Sequence, residues 1–247
     1  MLKKILDNRD GAERKWASLD MAEEVKGAFG EAWTQENFFW AMTILDSRSI
    51  WWGGKRNLVP LLDLINCQDG PEGSTVHKTE LDGDGVNAVT LAPWNFGEGE
   101  QVFENYGQPN HVYFMYHGFV LEENAYDCSL MISGIHETDE GIKGKDMEDV
   151  KQKLIAGGFR SYSPEFCVSP ASIEEEVKKL LTFLEIKNGR MAAARDVNEY
   201  VDRELSKYRG GEGGDSYADK CMGKIVQNEK RMLALVKEFM KVRGDEL

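Results

Sequence analysis

The chain has 247 residues, 41% of them apolar and 30% charged, with a formal charge of −13. That length allows one sizeable core or two modest ones. No apolar run approaches the ~20 residues that span a bilayer, and the mixed charges of residues 1–14 do not read as a secretory signal, so a soluble intracellular protein is expected. An acidic surface repels nucleic-acid phosphates, which argues against DNA or RNA as a partner.

Residues 1–35 read as polar helix, with one break expected at Asn8-Arg9-Asp10-Gly11 and another near 27–30. From Thr34 the pattern sharpens. Thr34 offers an N-cap, and Phe38, Trp40, Ala41, Ile44 and Leu45 recur at helical spacing. This predicts a helix that buries its aromatic face and ends near Ser49. The run Leu58-Val59-Pro60-Leu61-Leu62-Asp63-Leu64-Ile65-Asn66 is nearly continuous apolar sequence, so Asp63 and Asn66 are expected in or beside a core. Short strands are expected at 76–80, 88–92 and 101–104, separated by turns such as Asp82-Gly83-Asp84-Gly85. After about Ser133 the strands are expected to stop. Helical periodicity then marks 173–183, 191–208 and 219–242, with a glycine-rich hinge at 210–214. The predicted class is α+β: a unit of short strands with a helical insert at 1–132, followed by an all-helical module at 133–247.

The four cysteines, Cys67, Cys128, Cys167 and Cys221, lie far apart without a C-x-x-C pair, and the histidines show no metal spacing. Reduced, scattered thiols and no metal are therefore expected. The final Gly244-Asp245-Glu246-Leu247 is similar to a retrieval tail of the endoplasmic reticulum but lacks its usual first residue, and is read as coincidence.

Three segments carry the chemistry: Asp46-Ser47-Arg48, the run from Val59 to Cys67, and Gly97-Glu98-Gly99-Glu100-Gln101-Val102-Phe103-Glu104-Asn105-Tyr106-Gly107. Asn110, Gly118-Phe119 and an acidic stretch from Glu122 to Asp127 follow. Singly, each has a structural reading: Asp63 caps a helix, Asn66 fixes a turn, Tyr106-Gly107 closes a strand. In this order, they resemble the SET-domain methyltransferases of the group containing the Rubisco large-subunit lysine methyltransferase and the actin histidine methyltransferase. The resemblance covers about 34–130. A weaker likeness, carried by the run from Lys224 to Leu233, extends to the group's helical substrate-binding domain.

The resemblance implies transfer of a methyl group from S-adenosylmethionine to a lysine, or next a histidine, of a protein substrate. Two segments would cross in a knot-like arrangement that brings Asn66 to Tyr106. Asn66 would hold the cofactor, with Arg48, Asp63, Cys67, His117, Gly118 and Phe119 shaping its pocket. Tyr106 would place its hydroxyl beside the methyl and the acceptor nitrogen. The chain departs from the group's pattern in three places. Cys67 stands where a histidine is usual, His117 stands where a tyrosine or serine is common, and nothing before Phe38 resembles the strands with a Gly-x-Gly turn that open the domain. With Arg48, Asp63, Asn66 and Tyr106 retained, the last departure is read as truncation. The rival reading is a non-catalytic module that docks a partner protein.

Overall fold

The computed structural model describes residues 2–52, 54–76, 78–208 and 214–243. The hinge positions 210–213 and the tail 244–247 lie outside them. The chain divides into two compact units, Leu2–Tyr126 and the part that begins at Asp127.

The first unit opens with α1 (Leu2–Asp20), α2 (Glu23–Phe29), a 3-10 turn (Gly30–Ala32) and α3 (Gln35–Arg48). The break expected at 8–11 does not occur, because one glycine costs a helix only about 1 kcal/mol and Ala12, Glu13 and Arg14 after it are good helix formers. The second expected break falls at the end of α2. Thr34 caps α3 by accepting the Asn37 N–H at 3.2 Å. The aromatic face of α3 is less buried than its spacing suggests. Phe38 is half-buried against Trp16 and Trp33, while Trp40 is 65% exposed. The reason is local: this face meets a small aromatic cluster on α1 and the 30–34 turn, not a core.

Next come β1 (Ser49–Trp52) and β2 (Lys55–Leu58), an antiparallel hairpin. After a 3-10 turn (Leu62–Leu64) follow β3 (Asn66–Cys67), the hairpin β4 (Thr79–Leu81) and β5 (Ala88–Thr90), β6 (Phe103–Glu104) and α4 (Asn110–His117). β3 and β6 pair in parallel, Asn66 with Phe103 and Cys67 with Glu104, and the Gln68 N–H extends the ladder to the Glu104 carbonyl at 3.0 Å. The apolar run before β3 is not a core strand. Leu61 takes φ 74° into the 3-10 turn, Leu61 and Leu64 face outward, Asp63 is half-buried and Asn66 is exposed. The expectation that Asn66 lies in or beside a core is thereby corrected.

The second unit contains β7 (Ser129–Ile132), α5 (Met147–Ala156), β8 (Glu165–Val168), α6 (Ile173–Asn188), α7 (Ala194–Ser206) and α8 (Tyr217–Arg243). Strands therefore do not stop at Ser133: β8 pairs antiparallel with β7, Ser129 opposite Val168. This pairing joins Cys128 to Cys167 in a disulfide across 39 residues, with Cα atoms 5.3 Å apart, which corrects the expectation of reduced, scattered thiols; Cys67 and Cys221 are free. Phe159, Phe166 and Phe183 meet edge-on at 5.8–6.2 Å in a core completed by apolar residues of α5 to α8. Glu229 of α8 is 2% exposed and accepts three hydrogen bonds, from the Ser129 hydroxyl at 2.9 Å, the Leu130 N–H at 3.2 Å and the Tyr208 hydroxyl at 3.1 Å. Beside it, Asn228 donates to Asp127 at 2.8 Å. Among the described residues no helix is long and apolar enough to cross a membrane.

Candidate active site

The site is built where the parallel pair β3–β6 meets the ends of α3 and α4. α3 delivers Ser47 and Arg48 at its C-terminal turn. Arg48 donates from Nη1 to the Asp63 carbonyl at 2.8 Å, which pins the 3-10 turn leading into Asn66. After β6 the chain turns at Asn105, whose carboxamide oxygen accepts the Gly107 N–H at 2.8 Å and whose amide donates to Asp69 at 3.2 Å. Gly107 sits at φ +64°, and a Cβ there would stand 2.8 Å from Cγ1 of Val76, so glycine is required on both counts. This turn aims Tyr106 back at β3, where its hydroxyl donates to the Ile65 carbonyl at 2.6 Å.

α4 supplies the opposite wall. Gly118 ends it in the left-handed conformation at φ 77°, with its N–H on the Phe114 carbonyl. The chain then reverses, and Phe119 stacks on Tyr113 at 5.1 Å. Asn110 holds the returning strand from both sides: its amide donates to the Leu121 carbonyl at 3.0 Å and its oxygen accepts the Leu121 N–H at 2.9 Å. Asn124 donates to the Gln108 carbonyl at 2.8 Å. Asn110 and Asn124 thus act on the backbone and shape the site from outside.

A cavity of about 270 Å³ results, lined by Ser47, Arg48, Asn66, Cys67, Tyr106, His117 and Phe119. A larger one of about 710 Å³ shares Ser47, Arg48, Tyr106 and His117, and adds Asp63 and Glu104. Of the residues named from sequence, Arg48, Asn66, Cys67, Tyr106, His117 and Phe119 meet at the smaller cavity. Asp63 lines only the larger, and Gly118 lines neither; its part is the turn that returns Phe119.

Burial is the main electrostatic force here. It pushes the Tyr106 phenol up to about 12, with the Cys67 sulfur adding to the rise and the Arg48 guanidinium opposing it. Burial also raises the Cys67 thiol, although the Tyr106 backbone and the Tyr113 hydroxyl hydrogen-bond to it. His117 is held below its ordinary value by burial, against a hydrogen bond with the Ser47 backbone, with Arg48 also lowering it. At neutral pH the site therefore presents a phenol, a thiol and a neutral imidazole. The fixed positive charge at the smaller cavity is Arg48.

Sequence reading missed Tyr113. It is fully buried, its hydroxyl accepts the Gln108 N–H at 3.1 Å, and it meets the Cys67 thiol. A signal existed: Tyr113 lies four residues before His117 and three after Asn110, so the three share one helical face.

Neither a scan of protein-family models nor a search of curated proteins returned a match. Solved structures do match. The chain superposes on the structure described as the SET domain of LSMT bound to lysine and AdoHcy with a TM-score of 0.70 at 19% identity, covering 100% of this chain and 65% of that one. The structure of Rubisco LSMT bound to AdoMet matches with a TM-score of 0.69 at 18% identity and the same coverages. A third, bound to sinefungin and monomethyllysine, gives 0.65 at 19%. The chain thus spans about two-thirds of the length of the structures it matches, and at these identities the likeness is one of fold. The fold of this chain is the LSMT-like SET fold, a mixed α+β arrangement with small two-stranded sheets.

Proposed function

We propose that this chain is an S-adenosylmethionine-dependent protein N-methyltransferase that acts on lysine, with histidine the next candidate acceptor. The observation that carries the reading is Tyr106, fixed through the Ile65 carbonyl above Asn66 in a cavity walled by Arg48, His117 and Phe119.

The residues present fit the cofactor. Asn66 opens onto the cavity, and its amide makes no hydrogen bond to a described residue, which leaves donors and an acceptor for a polar ligand. The rings of Phe119 and His117 offer flat walls, and of the two adjoining cavities the larger falls within the usual volume of a small-molecule site, roughly 300–1,000 Å³, with the smaller just below it. Asn66, Arg48, His117, Cys67 and Phe119 would hold the group, with Asp63 and Gly118 acting through the turns they set. When bound, it supplies an electrophilic methyl on a sulfonium.

Methyl transfer is an in-line displacement, so it needs alignment more than a strong acid or base. Tyr106 suits that task. Its proton is committed to Ile65, its oxygen lone pairs remain free to orient an amine, and its raised pKa keeps it a neutral phenol. The acceptor amine must be deprotonated, since lysine's reference pKa is about 10.4. The nearby Arg48 charge favours that loss. Activity should therefore rise with pH as the acceptor loses its proton, with no inflection from Tyr106 below its own range.

The test measures methyl incorporation into lysine-bearing proteins, with adenosylmethionine binding titrated in parallel. Tyr106→Phe should lower kcat on the order of a hundredfold and change cofactor affinity only modestly, the pattern of a contact made mainly in the transition state. Equal turnover would remove Tyr106 from catalysis. Absence of both binding and turnover would favour the second reading, a SET-derived docking module. One observation supports that reading: Tyr113 is the only fully buried large apolar side chain among the described residues of the first unit.

A further inference from the structure

The two cavities of the candidate site meet at four residues, Ser47, Arg48, Tyr106 and His117, which line both. A lysine arriving at this seam carries a proton that must leave before its nitrogen can attack. Three of the four side chains cannot take it. The Ser47 hydroxyl is a weak base that donates to the Thr43 carbonyl at 2.7 Å, and Arg48 is already a cation. Tyr106 is a neutral phenol whose own proton rests on the Ile65 carbonyl. That leaves His117.

His117 ends α4, and its ring hydrogen-bonds the Ser47 backbone. The Ser47 carbonyl belongs to the last turn of α3, where helix carbonyls have no partner within the helix. The neutral ring therefore commits its one N–H to Ser47, and its second nitrogen keeps a lone pair. No described residue bonds to that nitrogen, and it is not a buried orphan: it opens onto the cavities that the ring lines. The ring stands 5.4 Å from that of Tyr106, centroid to centroid, so an amine oriented by the Tyr106 oxygen lies beside it. From α3, Arg48 opposes a second proton on the ring, while Asp46, tied to Arg56 at 2.6 Å, favours one less strongly. Cys67 on β3, Tyr106 after β6 and Tyr113 on α4 are uncharged at pH 7, and Asp63 and Glu104 line the larger cavity with it.

We propose that His117 is the proton acceptor of the reaction, taking the proton of the substrate's lysine ammonium at the seam between the two cavities. The proposal rests on the methyltransferase reading. In the step, the lysine Nζ–H bond breaks and an N–H bond forms on the bare ring nitrogen. The freed electron pair on Nζ then forms the N–C bond to the methyl group, while the C–S bond breaks and sulfur keeps its pair. The imidazolium, beside Arg48, gives its proton to solvent and returns to the neutral ring. At reference values lysine holds its proton about four decades more tightly than histidine, so the ring is a relay and not a sink. Arg48 and the sulfonium both loosen the ammonium proton.

The test runs the whole 247-residue chain on lysine peptides and lysine-bearing proteins across pH, with adenosylmethionine binding titrated beside turnover. His117→Phe keeps a ring in the packing but has no base, and His117→Gln keeps a donor for Ser47 but cannot take a proton. At pH 7 each should lose about a hundredfold in kcat, the low end of general-base effects. The loss should shrink as pH rises towards about 10, where the amine arrives already deprotonated. Added imidazole should restore part of the turnover of His117→Ala. A ring that only packs would give the same loss at every pH and no rescue. A second readout needs no turnover. Long-range proton–nitrogen spectra of the chain without cofactor, with His117→Gln to assign the signal, should show one protonated and one bare ring nitrogen at pH 7. Variant turnover equal to wild type, a loss that ignores pH, or a doubly protonated ring at pH 7 overturns the proposal and leaves the enzyme standing. Absence of turnover by wild type on every acceptor overturns the methyltransferase reading and the proposal with it.

Discussion

The two units of this chain solve the problem of stability differently. From Asp127 onward, helices α5 to α8 and the β7–β8 pair enclose a continuous core in which Val150, Val177, Leu180, Phe183, Val197, Val201 and Val236 are wholly excluded from solvent. The first unit has no such centre. Its sheets are two-stranded, Tyr113 is its fully buried large apolar residue among those described, and Trp51, Leu58, Leu61, Leu64 and Leu91 remain more than half exposed. What holds it together is mostly directional: Arg48 on the Asp63 carbonyl, Tyr106 on Ile65, Asn110 on Leu121, Asn124 on Gln108. Isolated two-stranded hairpins are marginal in water. Side-chain-to-backbone bonds of this kind specify geometry at a modest net gain of roughly 1 kcal/mol each. The contrast shows a unit built for stability beside one in which the candidate chemistry depends on polar clamps.

The sharpest way to break that comparison is to truncate one phenylalanine in each unit. Phe183→Ala empties a fully buried position and should cost about 4 kcal/mol, whereas Phe29→Ala at an exposed position should stay within about 0.5 kcal/mol. Thermal melts of the two variants decide it, and equal losses would mean that the first unit hides more core than its exposures suggest. Next in size is the disulfide. Closing a loop of this length restricts the unfolded chain by about 4 kcal/mol, so Cys128→Ser with Cys167→Ser should lower the melting temperature of the second unit. Measured hydrogen exchange in α3 and α4 should not move.

Glu229→Ala should cost roughly 2–3 kcal/mol, since three buried donors lose their acceptor. It also carries a pH signature. Burial holds this carboxyl above the ordinary glutamate range, although its three donors pull the other way. The native state therefore binds the proton more tightly than the unfolded state. The stability this contributes is fully present below the ordinary glutamate pKa and is lost as pH rises through the raised one. Denaturant melts across that window should show the decline, and Glu229→Gln should flatten it. The smallest effect is in the first unit: Tyr113→Phe removes the acceptor of the Gln108 N–H and should cost about 1 kcal/mol. Its more telling readout is the Cys67 thiol, whose alkylation rate should change as the neighbouring hydroxyl is lost.

How much was legible in the sequence follows from which interactions are local. The Thr34 cap and the periodicity of α3, α6, α7 and α8 depend on residues three or four apart, and the helices lie close to where those patterns put them. β8 was missed because four residues, Glu165–Val168, become a strand only through β7, more than thirty positions away. The same distance hid the disulfide. Asn66 was misjudged because an apolar run was equated with burial, while Leu61 at positive φ sends its neighbours outward. At the candidate site, ordered short motifs pointed to residues that do share a cavity. Tyr113 belongs to no such motif, and its place there is a product of packing.

The parallel pairing of Asn66 with Phe103 has a kinetic consequence. Two residues of strand on each side cannot form until the chain between them, with its own hairpin, has been brought into a closed loop, and that closure draws on entropy before any contact rewards it. Non-local parallel pairings of this sort form slowly, after helices such as α3 have already appeared. So short a ladder is also among the first to open in the native state. The cavity that Asn66, Cys67 and Tyr106 share should thus be the last part of its unit to assemble and the earliest to come apart. A ligand that binds across it would act as a clasp, slowing hydrogen exchange at Gln68 and Glu104 far more than in α1.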